Sequence, residues 1–211
     1  IIVDNYKGNQ LNSPNDVAVH QNGSFWFTDP PWGLWGTDNT SELEGHWVYR
    51  VDPETGVVIR SMPSGEDPEQ FALHPNNRYL YIANEEDAMA TVLDVTSDEV
   101  LAEINVGIEP EGMAVSPDGK IAIVTSETTN MVHWIDTEAQ RLFANTLVGQ
   151  RPRHGEFNTD GSKLWVSSEI GGAITILNVA TQQIEHIFHL KIPGVSKDLL
   201  QPVGIRLTAD G

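Results

Sequence analysis

The chain has 211 residues, no cysteine, and 12 basic against 30 acidic residues for a net charge of −18. This excludes disulfides, thiolate metal centres and cysteine nucleophiles, and it argues against nucleic acid, whose phosphates need clustered Lys and Arg. It also disfavours anionic membranes and favours metal cations or cationic ligands; no apolar run approaches the ~20 residues of a membrane span.

Taken in order, residues 1–13 (IIVDNYKGNQLNS) read as a lone outer strand without a signal peptide. Either a periplasmic or a cytoplasmic location fits a cysteine-free chain. Five related units follow: SPNDVAVHQNG, DPEQFALHPNN, EPEGMAVSPDG, RPRHGEFNTDG and QPVGIRLTADG. Their prolines, Pro14, Pro68, Pro110, Pro152 and Pro202, are 54, 42, 42 and 50 residues apart. A step near 42 residues that opens with a short strand and a tight turn is the signature of a propeller blade.

Each unit predicts four strands. The first is short and apolar (VAV, FAL, GMAV, GEF) and ends in a Gly- or Asn-containing turn suited to a hairpin. The second covers 25–28, 79–83, 121–125 and 164–167 as nearly continuous apolar runs, expected where adjacent blades cover both faces. The third ends at Asp52, Asp94, Asp136 and Asn178, each 42 residues after the last. The fourth is VVIRSM, VLAEINV, RLFANTL or EHIFHL. No segment predicts a long helix.

The predicted fold is therefore all-β: one β-propeller domain over 1–211 with about four full four-stranded blades. The blades are 14–67, 68–109, 110–151 and 152–201, with a partial outer strand at 1–13 and a partial inner strand at 202–211. Exposed sheet edges at both ends favour completion by a homo-oligomer. Insertions at 30–45 and after the last strand of the fourth blade fall in loops, where binding function concentrates.

Strand polarity places the start of each first strand and the end of each second strand on one face, around the axis. That mouth is predicted to hold Asn15, Asp16, Glu69, Gln70, Glu111, Arg153 and His154 from the former, and Asp29, Glu85, Glu127 and Glu169 from the latter. About seven carboxylates would gather there by the repeat rule, and they repel one another unless a cation intervenes. Hard divalent ions take such oxygen ligands. The structural alternative is that the four second-strand acids cap backbone N–H groups or pair with neighbouring blades. Trp32 and Trp35 in the first insertion would wall the mouth or simply pack the loop down.

The motif LNSPNDVAVHQNGSFWFTDPPWGL, at 11–34, resembles the SMP-30/gluconolactonase/regucalcin-like family, over about residues 6–56. From about 62 to 211, GEDPEQFAL, YIANEED, VGIEPEGMAVSPDG, QRPRHGEF and WVSSEIGG are similar to YVTN-type propellers associated with PQQ-dependent catabolism. The first resemblance implies one divalent metal at the channel mouth and hydrolysis of lactones or small esters. Asn15 and Asp16 match its PND motif, Glu111 takes the place of an acidic ligand, and Gln70 stands where the family has a metal-binding Asn. The implied metal residues are Asn15, Asp16 and Glu111, with Ca²⁺ the first choice and Mn²⁺ or Zn²⁺ the others. Asp16 is the first choice of base and His154 the second, while Arg153 would position an anionic substrate or neutralise nearby Glu residues.

The chain lacks G-x-S-x-G, H-E-x-x-H, G-x-x-x-x-G-K-[ST] and G-x-G-x-x-G, so serine-hydrolase, zincin and nucleotide readings lose their usual support. His186 and His189 lie three apart on a strand and face opposite ways. Three readings stand: a metal-dependent lactone or ester hydrolase, a non-catalytic YVTN-type module binding a ligand or protein at the acidic face, and a metal-independent esterase using His154 and a carboxylate.

Overall fold

The computed structural model of the chain describes residues 2–34, 36–37 and 40–208; Trp35, expected near the mouth, lies outside them. Its strands are β1 (Asn5–Tyr6), β2 (Asn9–Gln10), β3 (Val17–Val19), β4 (Phe25–Asp29), β5 (Trp47–Val51), β6 (Val58–Pro63), β7 (Pro68–Leu73), β8 (Tyr79–Asn84), β9 (Met89–Asp94), β10 (Glu99–Asn105), β11 (Pro110–Val115), β12 (Ile121–Ser126), β13 (Met131–Asp136), β14 (Arg141–Leu147), β15 (Pro152–Phe157), β16 (Lys163–Ser168), β17 (Ala173–Asn178) and β18 (Gln183–His189). Two short 3₁₀ turns, Trp32–Leu34 and Lys197–Leu199, complete the described elements. No helix among the described residues is long and apolar enough to cross a membrane.

β3 to β18 form four antiparallel meanders of four strands, each paired in sequence order. This is the propeller blade that the repeat predicts, with β3, β7, β11 and β15 side by side along a central channel. The blades are joined by apolar packing. Trp26, Val48 and Met62 meet Phe71, Leu80 and Leu93; Tyr81 and Val92 meet Met113, Val124 and Ile135; Val132 and Trp134 meet Leu164, Val166 and Leu177. Full burial of such side chains contributes about 1.5–3 kcal/mol each, so the interfaces hold the ring segment together. Trp165 instead stacks on Phe188 within its own blade, 6.3 Å between centroids.

The ends differ from the expected lone strands. Residues 1–13 hold the hairpin β1/β2, because Lys7 and Gly8 at positive φ turn the chain back on itself. The hairpin packs Tyr6 on Tyr49, with Leu11 in the same cluster beside Phe27 and Val51. Residues 201–208 form no strand; they lie along the inner side of the last blade, where Ser167 Oγ donates to Val203 O at 2.8 Å.

The inner strands carry the feature that positions the site. β7, β11 and β15 each slip register by one residue against their partners, between Pro68 and Phe71, Pro110 and Met113, and Pro152 and His154. Such bulges re-aim side chains and free backbone groups. In β11 the freed N–H of Gly112 is taken by Thr125 Oγ1 at 2.8 Å, and in the first blade Asp16 N–H is taken by Thr28 Oγ1 at 3.1 Å. Gly112 itself is required by close approach: a Cβ there would sit 2.5 Å from Arg153 O and 2.6 Å from Thr125 Oγ1.

Candidate functional site

Counting from the anchoring prolines, two adjacent rows line different spaces. Asn15, Glu69, Glu111 and Arg153, one residue after each proline, line a shared depression at the mouth. Asp16, Gln70 and His154, one residue further on, line the channel beneath. The sequence expectation of one mouth lined by both rows is thus divided between two spaces.

The mouth is completed by the ends of the second strands. Glu85, Glu127 and Glu169 each donate their N–H to the residue before an anchoring proline, Asp67, Glu109 and Arg151, at 2.8–3.0 Å. Those three residues all hold φ between 53° and 55°, a conformation uncommon outside Gly. It turns the chain sharply into the inner strand.

Asp29 is turned elsewhere. Its Oδ2 accepts from Asn12 N at 3.0 Å and its backbone carbonyl from Asn12 Nδ2 at 3.3 Å, so it anchors the N-terminal segment. Burial pushes its carboxyl up to about 6.

The mouth falls into two electrostatic halves. In one, Arg153 binds Glu111 at 2.9 Å and also Glu127, while Arg151 binds Glu127 at 2.6 Å and reaches Glu169 at 3.4 Å. In the other, Asp67, Glu69 and Glu85 offer oxygens that all lie within 4.8 Å of one another, and no ion pair reaches any of them among the described residues. Asn15 Nδ2 donates to Glu69 Oε2. Trp32, 46% exposed, overhangs the same depression.

The unneutralised half is costly as it stands. Glu69, 5% exposed, is pushed up to about 8, first by burial and then by the charges of Glu111, Asp67 and Glu85. Asp67, 1% exposed, is raised to about 6, chiefly by burial. Glu85 is raised by burial and by Asp67. Glu111 reaches about 7, because burial outweighs the Arg153 guanidinium.

The trio fits one divalent cation. Two ligands of a Ca²⁺ at 2.3–2.6 Å can be about 5 Å apart at most, which matches the observed spread. Asp67 Oδ1 is buried without a hydrogen-bond partner, and buried acceptors are normally satisfied. An all-oxygen set suits a hard ion such as Ca²⁺ better than Zn²⁺, which favours nitrogen and sulfur.

The expected ligand set is divided accordingly. Asn15 and Glu111 share the mouth with the trio, while Asp16 lies in the channel, its Oδ2 accepting from Phe71 N at 3.1 Å and its Oδ1 from Val17 N at 2.8 Å. His154 is also in the channel, with Nδ1 2.9 Å from Gln70 Oε1. Asp67 was not anticipated. The signal for it was present one residue before Pro68, at the repeat position shared with Glu109 and Arg151.

Comparison with known proteins bears on this architecture. Residues 1–169 match the family model for the SMP-30/Gluconolactonase/LRE-like region, a match that runs well past the point where the YVTN-like motifs begin. The chain is 34% identical over 94 residues to a gluconolactonase of Zymomonas mobilis subsp. mobilis, covering 44% of this chain and 26% of that protein. It is 27% identical over 84 residues to the lactonohydrolase oryL of Aspergillus oryzae, covering 39% and 19%. These alignments span about a quarter and a fifth of the relatives' lengths.

Among solved structures, a gluconolactonase from Xanthomonas campestris superposes with a TM-score of 0.66 at 25% identity, covering 78% of this chain and 57% of that one. Hydrazine synthase of Kuenenia stuttgartiensis gives 0.73 at 24% identity over 88% and 53%, a likeness of fold. With four-fifths of its length matched by the family model, the chain belongs to the SMP-30/gluconolactonase/LRE-like family.

Proposed function

We propose that the protein is a metal-dependent hydrolase of lactones or small esters, acting at the acidic mouth of the propeller. The observation that carries this reading is the trio Asp67, Glu69 and Glu85, three gathered carboxylates that no ion pair reaches among the described residues, one of them with an orphaned buried oxygen. Its family and its gluconolactonase relatives supply the reaction class.

A divalent cation held there would polarise the substrate carbonyl and acidify a bound water. The chain's own residues do the rest. Asp67, Glu69 and Glu85 would hold the ion, and Asn15, whose Nδ2 bonds Glu69, would orient substrate at the rim. Trp32 offers an apolar face to the ring of a lactone and excludes water from one side. Arg153 fixes Glu111 by an ion pair, and Glu111 is the group we assign to accept the proton of the attacking water. Asp16 and His154, lying in the channel, take no part in the water's activation in this scheme.

The second reading, a non-catalytic YVTN-type module, is favoured by one observation: Arg151 and Arg153 neutralise Glu111, Glu127 and Glu169 much as a purely structural network would. A panel of lactones and esters, assayed with EDTA and then with Ca²⁺, Mn²⁺ or Zn²⁺, separates the two when run beside metal titration calorimetry. Hydrolysis that is lost to EDTA, restored by metal and abolished in Glu69→Gln supports the hydrolase. Metal binding without hydrolysis of any substrate overturns it in favour of the binding module. Hydrolysis indifferent to EDTA and lost in His154→Ala would point to the metal-independent esterase.

A further inference from the structure

The channel beneath the mouth is a cavity of about 740 Å³, within the range of small-molecule pockets. Its polar lining residues are Asp16, Gln70, His154, Glu156 and Arg206, with His154 between Gln70 and Arg206 and Glu156 on Arg206. Its apolar lining includes Ala18, Leu73, Val115 and Phe157. Neither set is used by the proposed hydrolysis.

Arg206 is the only Lys or Arg among the described lining residues. Three acceptors hold it by a single nitrogen: Nη1 donates to Glu156 Oε2 at 2.7 Å, to His154 Nε2 at 2.6 Å and to Ile205 O at 3.1 Å. His154 is fixed in turn through Nδ1 by Gln70, so Nδ1 carries the proton and Nε2 the lone pair that accepts from Arg206. The Nε and Nη2 groups of Arg206 make no hydrogen bond among the described residues. Its side chain is 75% exposed. A guanidinium held by one nitrogen with its opposite edge free presents the planar fork that matches a carboxylate bidentately.

We propose that the channel binds a small organic carboxylate with an apolar body, its carboxylate on the free edge of Arg206 and its hydrocarbon along Leu73, Val115 and Phe157. Two carboxylates of the protein share the space, and neither blocks this arrangement. Glu156 already faces the other side of the guanidinium, and Asp16 has both oxygens turned to backbone N–H groups. The inference does not rest on the hydrolase reading.

The test is calorimetric or NMR titration with hexanoate in EDTA, which keeps the metal site out of the measurement. Saturable binding is expected, with Kd on the order of 0.1–1 mM for so small a ligand. The matched alcohol, 1-hexanol, should bind at least about ten-fold more weakly, since it lacks the charge that the fork reads. Arg206→Gln, a change on an exposed side chain, should lose at least about ten-fold in hexanoate affinity with an unchanged melting temperature. Glu85→Gln, at the mouth, should bind hexanoate as wild type does. No binding, equal binding of hexanol, or an unaltered Kd in Arg206→Gln would each overturn the proposal. The hexanol comparison decides it in the wild-type protein even if the variant proved unstable.

Discussion

The second and fourth blades present the same backbone positions to the mouth and do opposite things with them. Glu69 and Glu85 in the second, with Asp67 at the turn that enters it, correspond by repeat position to Arg153 and Glu169 in the fourth, with Arg151 at its entering turn. The same positive-φ turn and the same bulge position both sets. Two exchanges of acid for arginine convert an anionic trio into an ion-pair network that also neutralises Glu111 and Glu127 of the blade between. The scaffold thus fixes where side chains gather, and the identity of two residues decides whether that place carries arginine ion pairs.

The sharpest way to break the comparison is to move the arginine. Glu69→Arg gives the second blade the fourth blade's residue at that position, removing a ligand and supplying an internal cation. Metal-dependent hydrolysis should fall by about 100-fold or more, the scale seen when one electrostatic element of a site is removed. Metal should also cease to raise the melting temperature. A variant that keeps both activity and metal response would show that the ion sits elsewhere.

The reciprocal change acts on stability. Arg153 is 21% exposed and bridges Glu111 and Glu127. Removing one partner of a largely buried pair costs about 3 kcal/mol, so Arg153→Ala should lower the urea midpoint by that equivalent. Added Ca²⁺ should restore part of the loss, because the freed carboxylates then resemble the trio. If urea denaturation is unchanged, the two halves do not differ in the way their ion pairs suggest.

Most of the fold was legible because the third strands end at Asp94, Asp136 and Asn178 in strict 42-residue steps, and the inner strands begin at evenly placed prolines. A repeat that buries both faces against copies of itself leaves little freedom once its period is known. The site was less legible, for local reasons. A one-residue slip in β7, β11 and β15 changes which face a side chain takes, and in the first blade Asn15 and Asp16, neighbours in sequence, line different spaces. Asp29 sits at the expected strand end, but the Asn12 N–H claims its carboxylate. That pairing depends on how the N-terminal hairpin folds back, which no repeat encodes. Asp67 was missed because it stands one residue before Pro68, from which the inner-strand positions were counted.

A smaller effect distinguishes the trio by its response to pH. Glu69 has its ordinary value of 4.5 unfolded and about 8 when folded, so the folded protein holds the extra proton. The stability this gives is fully present below about pH 4.5 and is lost as pH rises through 8. Asp67, raised from 3.8 to about 6, acts in the same direction over a lower window. In EDTA, wild type should therefore lose stability between pH 5 and pH 8 relative to Glu69→Gln, whose amide has no proton to give up. A relative shift of a few degrees in melting temperature is expected for a group this buried. Saturating Ca²⁺ should flatten the wild-type curve, since the ion stabilises the ionised carboxylates that EDTA leaves facing one another. Parallel curves for the two proteins in EDTA would mean that Glu69 ionises as freely as an exposed glutamate. The second blade's acids would then need no cation, and the contrast with the arginine-clamped half would be one of geometry alone.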